Sequence, residues 1–218
     1  MYSYLANLPL VDTLAPMNPP EAVVFDLGKV LLDFDYEIAV RKMVARCDLP
    51  ANILHDLINQ SPLLFQYETG LLTTGEFYES VKAAAGFRGD VVEFRAIFGD
   101  IFTPIEPMIA LHERLRSQGI PTYIFSNTNE LAIDHIRRQF PFFSRFEDYV
   151  LSYEHRAMKP DAKLYEVVEQ RTGRRGAQLL YIDDRPENIA AGKARHWRTI
   201  LHASPEQTLA ELRETGLM

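Results

Sequence analysis

The sequence predicts an α/β fold: a Rossmann-like, doubly wound parallel sheet with an inserted α-helical domain. Three observations predict it. Short, continuously apolar runs recur along the chain, as in strands covered on both faces. Amphipathic helical patterns separate most of them. One interval, from about residue 37 to 104, breaks the alternation and carries helical periodicity alone.

The runs are AVVFD (22–26), PTYIFSN (121–127), YVLSY (149–153), LLYIDD (179–184) and, as a fifth candidate, RTILH (198–202). Between them, Met108, Leu111 and Leu115 share a helical face, with Gly119 as its stop. Leu131, Ile133 and Ile136 are expected to face the sheet. Lys159-Pro160-Asp161 and Arg185-Pro186-Glu187 each place Pro at a helix start, and Ser204 to Gln207 reads as a capping box.

Within the insertion, one helical stripe runs from Tyr36 through Val40, Met43, Val44 and Cys47, and a second over Ile53 to Ile58. Thr73 and Glu76 form a capping box before Phe77 and Val81, and Val91 to Ile101 suggests another helix. Roughly four helices are expected there, far more than an ordinary crossover holds. The expected domains are an irregular, proline-containing arm (1–20), a core made of 21–36 and 105–218, and the helical insertion (37–104).

Composition narrows the function. The 218 residues are 47% hydrophobic and 24% charged, ordinary for a globular chain. A net charge of −7 argues against nucleic acid or an anionic membrane as partner. No run approaches a membrane span, and residues 1–21 lack the pattern of a signal peptide. The single cysteine, Cys47, reads as insertion core and fits a reducing, cytoplasmic compartment.

The chemistry lies at strand ends, where open α/β sheets bind ligands. Asp26 ends the first run, Ser126-Asn127-Thr128-Asn129 the second, and Asp183-Asp184 the fourth; Lys159 follows the third. Singly, each has a bland reading as a turn, a cap or a solvated charge. Together, three carboxylates would repel one another unless a hard cation relieved them, and oxygen ligands favour Mg²⁺. Ser126, the amides after it and Lys159 suit a phosphate. Asp26 is then a candidate nucleophile.

These pieces, FDLGKVL, FSNTN, MKPDAKLY and YIDDRPENI, resemble in kind and order the haloacid dehalogenase superfamily over residues 22 to about 190. The long gap from Asp26 to Ser126 and the short one from Ser126 to Lys159 are similar to its helical, first-position cap subclass. Within it, the likeness is to the bacterial α-D-glucose-1-phosphate phosphatases and the phosphatase domain of epoxide hydrolases. The resemblance implies that Asp26 forms an aspartyl-phosphate which water hydrolyses. It implies Mg²⁺ on Asp26, the Gly28 carbonyl and Asp184, with Asp183 direct or through water. Ser126 and Asn127 would hold phosphate oxygens through side-chain and backbone groups. Lys159 would neutralise charge, and Asn188 would steady the Asp183-Asp184 loop.

One departure matters. Most phosphatases of the superfamily use an Asp at the position of Gly28 as acid and base; Gly28 keeps the carbonyl and omits the acid. That loss costs about 10²–10⁴ in rate unless the leaving group is good. A small phosphorylated metabolite such as a sugar 1-phosphate would tolerate it, and Glu68 or His55 of the insertion are candidates to supply the proton. The alternatives are a binding or regulatory protein without turnover, and a dehalogenase, against which the Asp183-Asp184 pair argues. Relatives usually carry Gly where Arg156 and often where His196 stand; both arginines, Arg156 and Arg185, read as loop residues rather than substrate contacts.

Overall fold

The computed structural model describes residues 18–217; the arm expected over 1–20 lies, up to residue 17, outside them. Seven strands occur among the described residues, in chain order: β1 (Ala22–Phe25), β2 (Leu32–Phe34), β3 (Phe102–Pro104), β4 (Thr122–Ser126), β5 (Asp148–Leu151), β6 (Leu179–Asp183) and β7 (Arg198–Leu201). The helices are α1 (Tyr36–Met43), α2 (Ala51–Ile58), α3 (Pro62–Glu68), α4 (Thr74–Ala85), α5 (Val91–Gly99), α6 (Glu106–Ser117), α7 (Glu130–Gln139), α8 (Ser152–His155), α9 (Ala162–Thr172), α10 (Pro186–Ala194) and α11 (Pro205–Glu214). No helix among the described residues is long and apolar enough to cross a membrane.

The five apolar runs form one parallel five-stranded sheet in the order β5-β4-β1-β6-β7. Successive side chains of β1 point to opposite faces, and both faces are covered. Val23 and Phe25 join Met108, Leu111, Leu115 and Ile133 in one core. Ala22 and Val24 join Leu164, Tyr165, Val168 and Trp197 in the other. This double burial is why the strands read as continuous rather than alternating. β1 lies at the centre, where the order turns outward both ways, so its carboxyl end is the switch point.

Between β2 and β3, α1 to α5 pack around a third core of Val40, Met43, Leu54, Phe77, Phe94 and Phe98. Cys47 is buried at its edge. Four details differ from expectation. β2 and β3, a short antiparallel pair, were not foreseen, because three residues each are too few for a period to show. α3 adds a helix; its signal is local, Ser61 capping the Leu64 amide with Pro62 at the first turn. Leu131 packs into this third core rather than against the sheet, so α7 touches both bodies. The helix after Lys159 starts at Ala162, with Asp161 as its cap, not at Pro160.

Arg156 and His196 have φ of 51° and 62°. This left-handed conformation costs an L-residue about 1–2 kcal/mol, which glycine avoids. Glycine returns about 0.5–1 kcal/mol of that through its greater freedom when unfolded. His196→Gly is therefore expected to raise stability slightly, by about 1 kcal/mol or less. A urea midpoint that falls would show that the backbone there carries no strain.

Candidate active site

The site is built on the carboxyl ends of β1, β4 and β6. Asp26 directly follows β1. Its amide donates to the Ile182 carbonyl of β6 (2.9 Å), and its Oδ1 accepts from the Leu27 amide (2.7 Å). Lys159 reaches in from the loop before α9. Its Nζ lies 3.0 Å from Asp26 Oδ1 and 2.7 Å from Asp183 Oδ2, and it donates to the Phe125 carbonyl at 2.9 Å. Its side chain is 1% exposed, below the faces of Phe125 and Tyr181.

Asp183 is held from several sides. Oδ1 accepts from the Arg185 amide (2.8 Å) and Asn188 Nδ2 (3.0 Å). Oδ2 accepts from Lys159, from the Tyr181 hydroxyl and from Asn188 Nδ2 at 3.2 Å. With both oxygens so engaged, Asp183 anchors Lys159 and the loop, and Asp184 is left to face the cavity. Tyr181 escaped the sequence reading. Its signal is the two-residue period, which puts Tyr181 and Asp183 on one face of β6.

Asn127 departs from the expected side-chain contact with phosphate. Its Oδ1 accepts from the Lys159 amide (2.7 Å) and its Nδ2 donates to the Lys159 carbonyl (3.0 Å). The amide group thus clamps the lysine's backbone, and only the Asn127 backbone remains for a ligand. Ser126 is buried at the end of β4, and among the described residues its hydroxyl makes only a long 3.4 Å contact with the Asn127 carbonyl.

The electrostatics set three carboxylates against one ammonium. Burial pushes Asp26 up to about 7; Lys159 opposes this, while Asp183 and Asp184 add to it. Burial also raises Asp184, with Asp183 reinforcing the shift. Burial alone would raise Asp183, but Lys159, Tyr181 and the Arg185 amide outweigh it and hold the group low. For Lys159 burial is outweighed by Asp183 and Asp26, so the ammonium is retained. Oxygens of Asp26, Asp183 and Asp184 all lie within 4.8 Å of one another. The Gly28 carbonyl accepts no hydrogen bond among the described residues. This all-oxygen, negatively charged set fits a hard divalent cation.

Above it opens a cavity of about 680 Å³. Its floor includes Asp26, Gly28, Lys159 and Asp184; the helical insertion contributes His55, Asn59, Gln60, Ser61, Phe65 and Glu68. Arg185 lines its rim and bonds Glu187 (2.7 Å), whereas exposed Arg156 is not among the lining residues.

Gly28 is more than an omitted side chain. A Cβ there would lie 2.9 Å from Cε1 of Phe34. That ring is packed edge-on against Tyr36 and Phe102, with Lys29 over its face. Gly28→Asp, which restores the usual acid in name, is accordingly expected to lose about 1–3 kcal/mol of stability to crowding. It is expected to gain no activity until Phe34 is also reduced, as in Gly28→Asp with Phe34→Ala. A single variant faster than the parent would refute this.

A family model described as haloacid dehalogenase-like hydrolase matches residues 20–195. The sesquiterpene phosphatase astK of Aspergillus oryzae is 27% identical over 176 residues, 80% of this chain and 85% of that protein. The D-ribitol-5-phosphate phosphatase of Bacteroides thetaiotaomicron is 24% identical over 179 residues, 78% and 86% respectively. Among solved structures, a HAD family enzyme from Bacteroides thetaiotaomicron, in complex with magnesium and inorganic phosphate, matches with a TM-score of 0.71 at 21% identity. The match covers 83% of this chain and 93% of that one. The L-2-haloacid dehalogenase of Xanthobacter autotrophicus matches with 0.60 at 17%, covering 91% and 86%. These two likenesses speak to the fold. The family match takes in every residue the sheet brings to this rim, from Asp26 to Asn188, and on that ground the chain belongs to the haloacid dehalogenase-like hydrolases.

Proposed function

We propose that the protein is a Mg²⁺-dependent phosphatase that hydrolyses a small phosphorylated metabolite through an aspartyl-phosphate on Asp26. The observation that carries this reading is the Lys159 ammonium joining Asp26 to Asp183 under an open cavity. Support comes from the two curated relatives, both named phosphatases, and from the Bacteroides structure with magnesium and phosphate.

Asp26 attacks phosphorus with one carboxylate oxygen as the ester oxygen departs; water then splits the acyl phosphate and regenerates Asp26. The Ser126 hydroxyl and the backbone amides after it take the phosphate oxygens. Lys159 balances their charge from below, held in place by Asn127 and Asp183. Asp26, the Gly28 carbonyl and Asp184 would hold Mg²⁺, which supplies further neutralisation of the phosphate. Asp183, steadied by Asn188, orients rather than ligates.

The polar groups of His55, Asn59, Gln60 and Ser61 suit a hydroxylated body, and a sugar phosphate such as a sugar 1-phosphate is the substrate class we favour. Lone, buried Cys47 suits work in the reducing cytoplasm. The test is p-nitrophenyl phosphate and sugar 1-phosphate turnover with Mg²⁺ and with EDTA. Turnover that falls at least tenfold in EDTA is expected. No turnover of either would leave a binding protein, and halide release from chloropropionate without Mg²⁺ would make it a dehalogenase.

A further inference from the structure

Resting on the phosphatase reading above, we propose that Glu68 of the helical insertion supplies the proton that Gly28 cannot, handing it to the leaving oxygen as phosphorus passes to Asp26. Phe34 fills the space into which an acid at position 28 would project, so the proton must come from elsewhere on the cavity wall. Four titratable groups between β2 and β3 line that wall: Asp35, Tyr36, His55 and Glu68. Asp35 caps α1 by accepting from the Glu37 amide, and burial holds the Tyr36 hydroxyl well above its usual range. The ring nitrogens of His55 are engaged by Asn59 (3.0 Å) and face Glu37 and Asp56 at 3.6 Å. The Glu68 carboxyl has no hydrogen-bond partner among the described residues; its charged neighbour on the cavity wall is Arg185, and the neutral Tyr36 hydroxyl lines the same wall.

Glu68 is also one of the points at which the insertion is fastened to the core. Its carbonyl accepts from Ser152 Oγ (2.6 Å), and the same oxygen accepts from the amide of Thr128 (2.9 Å), just beyond Ser126-Asn127. One residue earlier, the Tyr67 hydroxyl accepts from the Leu131 amide at the start of α7 (3.1 Å). Two residues later, Gly70 has φ +72°, and a Cβ there would run into the Tyr153 carbonyl oxygen. The end of α3 is thereby pinned over the phosphate loop, and Glu68 is held where a proton donor needs a fixed position. Burial holds its carboxyl up to about 7, with Arg185 drawing it down, so a substantial fraction is protonated near neutrality.

The step balances. An Asp26 oxygen forms the O–P bond, the ester O–P bond breaks, and the Glu68 proton goes to the departing oxygen. Glu68, now a carboxylate, takes a proton from the water that attacks the aspartyl-phosphate, and returns to its acid form as phosphate leaves.

The experiment measures kcat/KM of wild type, Glu68→Gln and Glu68→Ala on an aryl phosphate series. The series runs from 2,4-dinitrophenyl phosphate, whose phenolate leaves unaided, to phenyl phosphate, whose leaving oxygen is as basic as a tyrosine. Both variants are expected within about threefold of wild type on the dinitrophenyl ester and about 10²-fold slower on the phenyl ester. Equal slowing on both esters would mean a structural role, and no slowing would mean no role; either overturns the proposal. Thermal melts of the two variants separate misfolding from lost chemistry. A wild type inactive on the whole series would instead bring down the phosphatase reading, and this proposal with it.

Discussion

Asp26→Asn is expected to abolish turnover and to leave the protein folded, with a higher melting temperature in EDTA. The loss follows from chemistry: an amide oxygen is no nucleophile, and removing a covalent nucleophile costs about 10⁴-fold or more. The fold survives because the Asn oxygen can still accept from the Leu27 amide and from Lys159, as Asp26 Oδ1 does. The gain in stability follows from sign. Burial raises Asp26 from 3.8 to about 7, so folding disfavours its charged form. The unfolded chain loses that proton at lower pH, and stability therefore falls as pH rises from about 4 to about 7. A neutral Asn removes this penalty, which is nearly complete by pH 7. Turnover of p-nitrophenyl phosphate within tenfold of wild type would remove Asp26 as nucleophile. A lower melting temperature would show that the carboxylate, not its neutral isostere, is what the site was built to hold.

How much of this was legible in the sequence differs from one residue to the next. β1, β4 and β6 could be read because both of their faces are covered, which leaves a run of apolar residues; β5 and β7, at the sheet edges, are only partly buried and were read from shorter apolar runs. β2 and β3 could not, since their pairing is fixed by the two ends of a long insertion meeting in space. Asp26, Lys159 and the Asp183-Asp184 pair announced themselves by residue type and order. Asn127 was read as a phosphate contact, whereas its side chain bonds the Lys159 backbone, a contact across 32 positions with no local pattern. Gly28 is the sharpest case. Its sequence shows a missing acid, while the structure shows Phe34 in the space the acid would need. A ring six residues away, turned back by β2, is not written in any period of the chain.

Lys159→Met is expected to be the most destabilising single change at the site. The ammonium is buried between Asp26 at 3.0 Å and Asp183 at 2.7 Å, and methionine fills its volume without its charge. Asp183 then keeps its bonds to Asn188 and the Arg185 amide but loses its counter-ion, and Asp26 loses its own. Leaving a buried charge unpaired costs about 3–5 kcal/mol. At about 2–4 °C per kcal/mol for a chain of this size, the melting temperature in EDTA should fall by roughly 6–20 °C. Turnover should fall by about 10²-fold or more, because the cation proposed to balance the phosphate is gone. The double variant Asp26→Asn with Lys159→Met identifies the cause. With one of the two anions neutral, less charge is left uncompensated, so the double variant should be more stable than the sum of the single changes predicts. Strict additivity would mean that Lys159 holds the fold by packing against Phe125 and Tyr181, and that its charge serves the substrate alone.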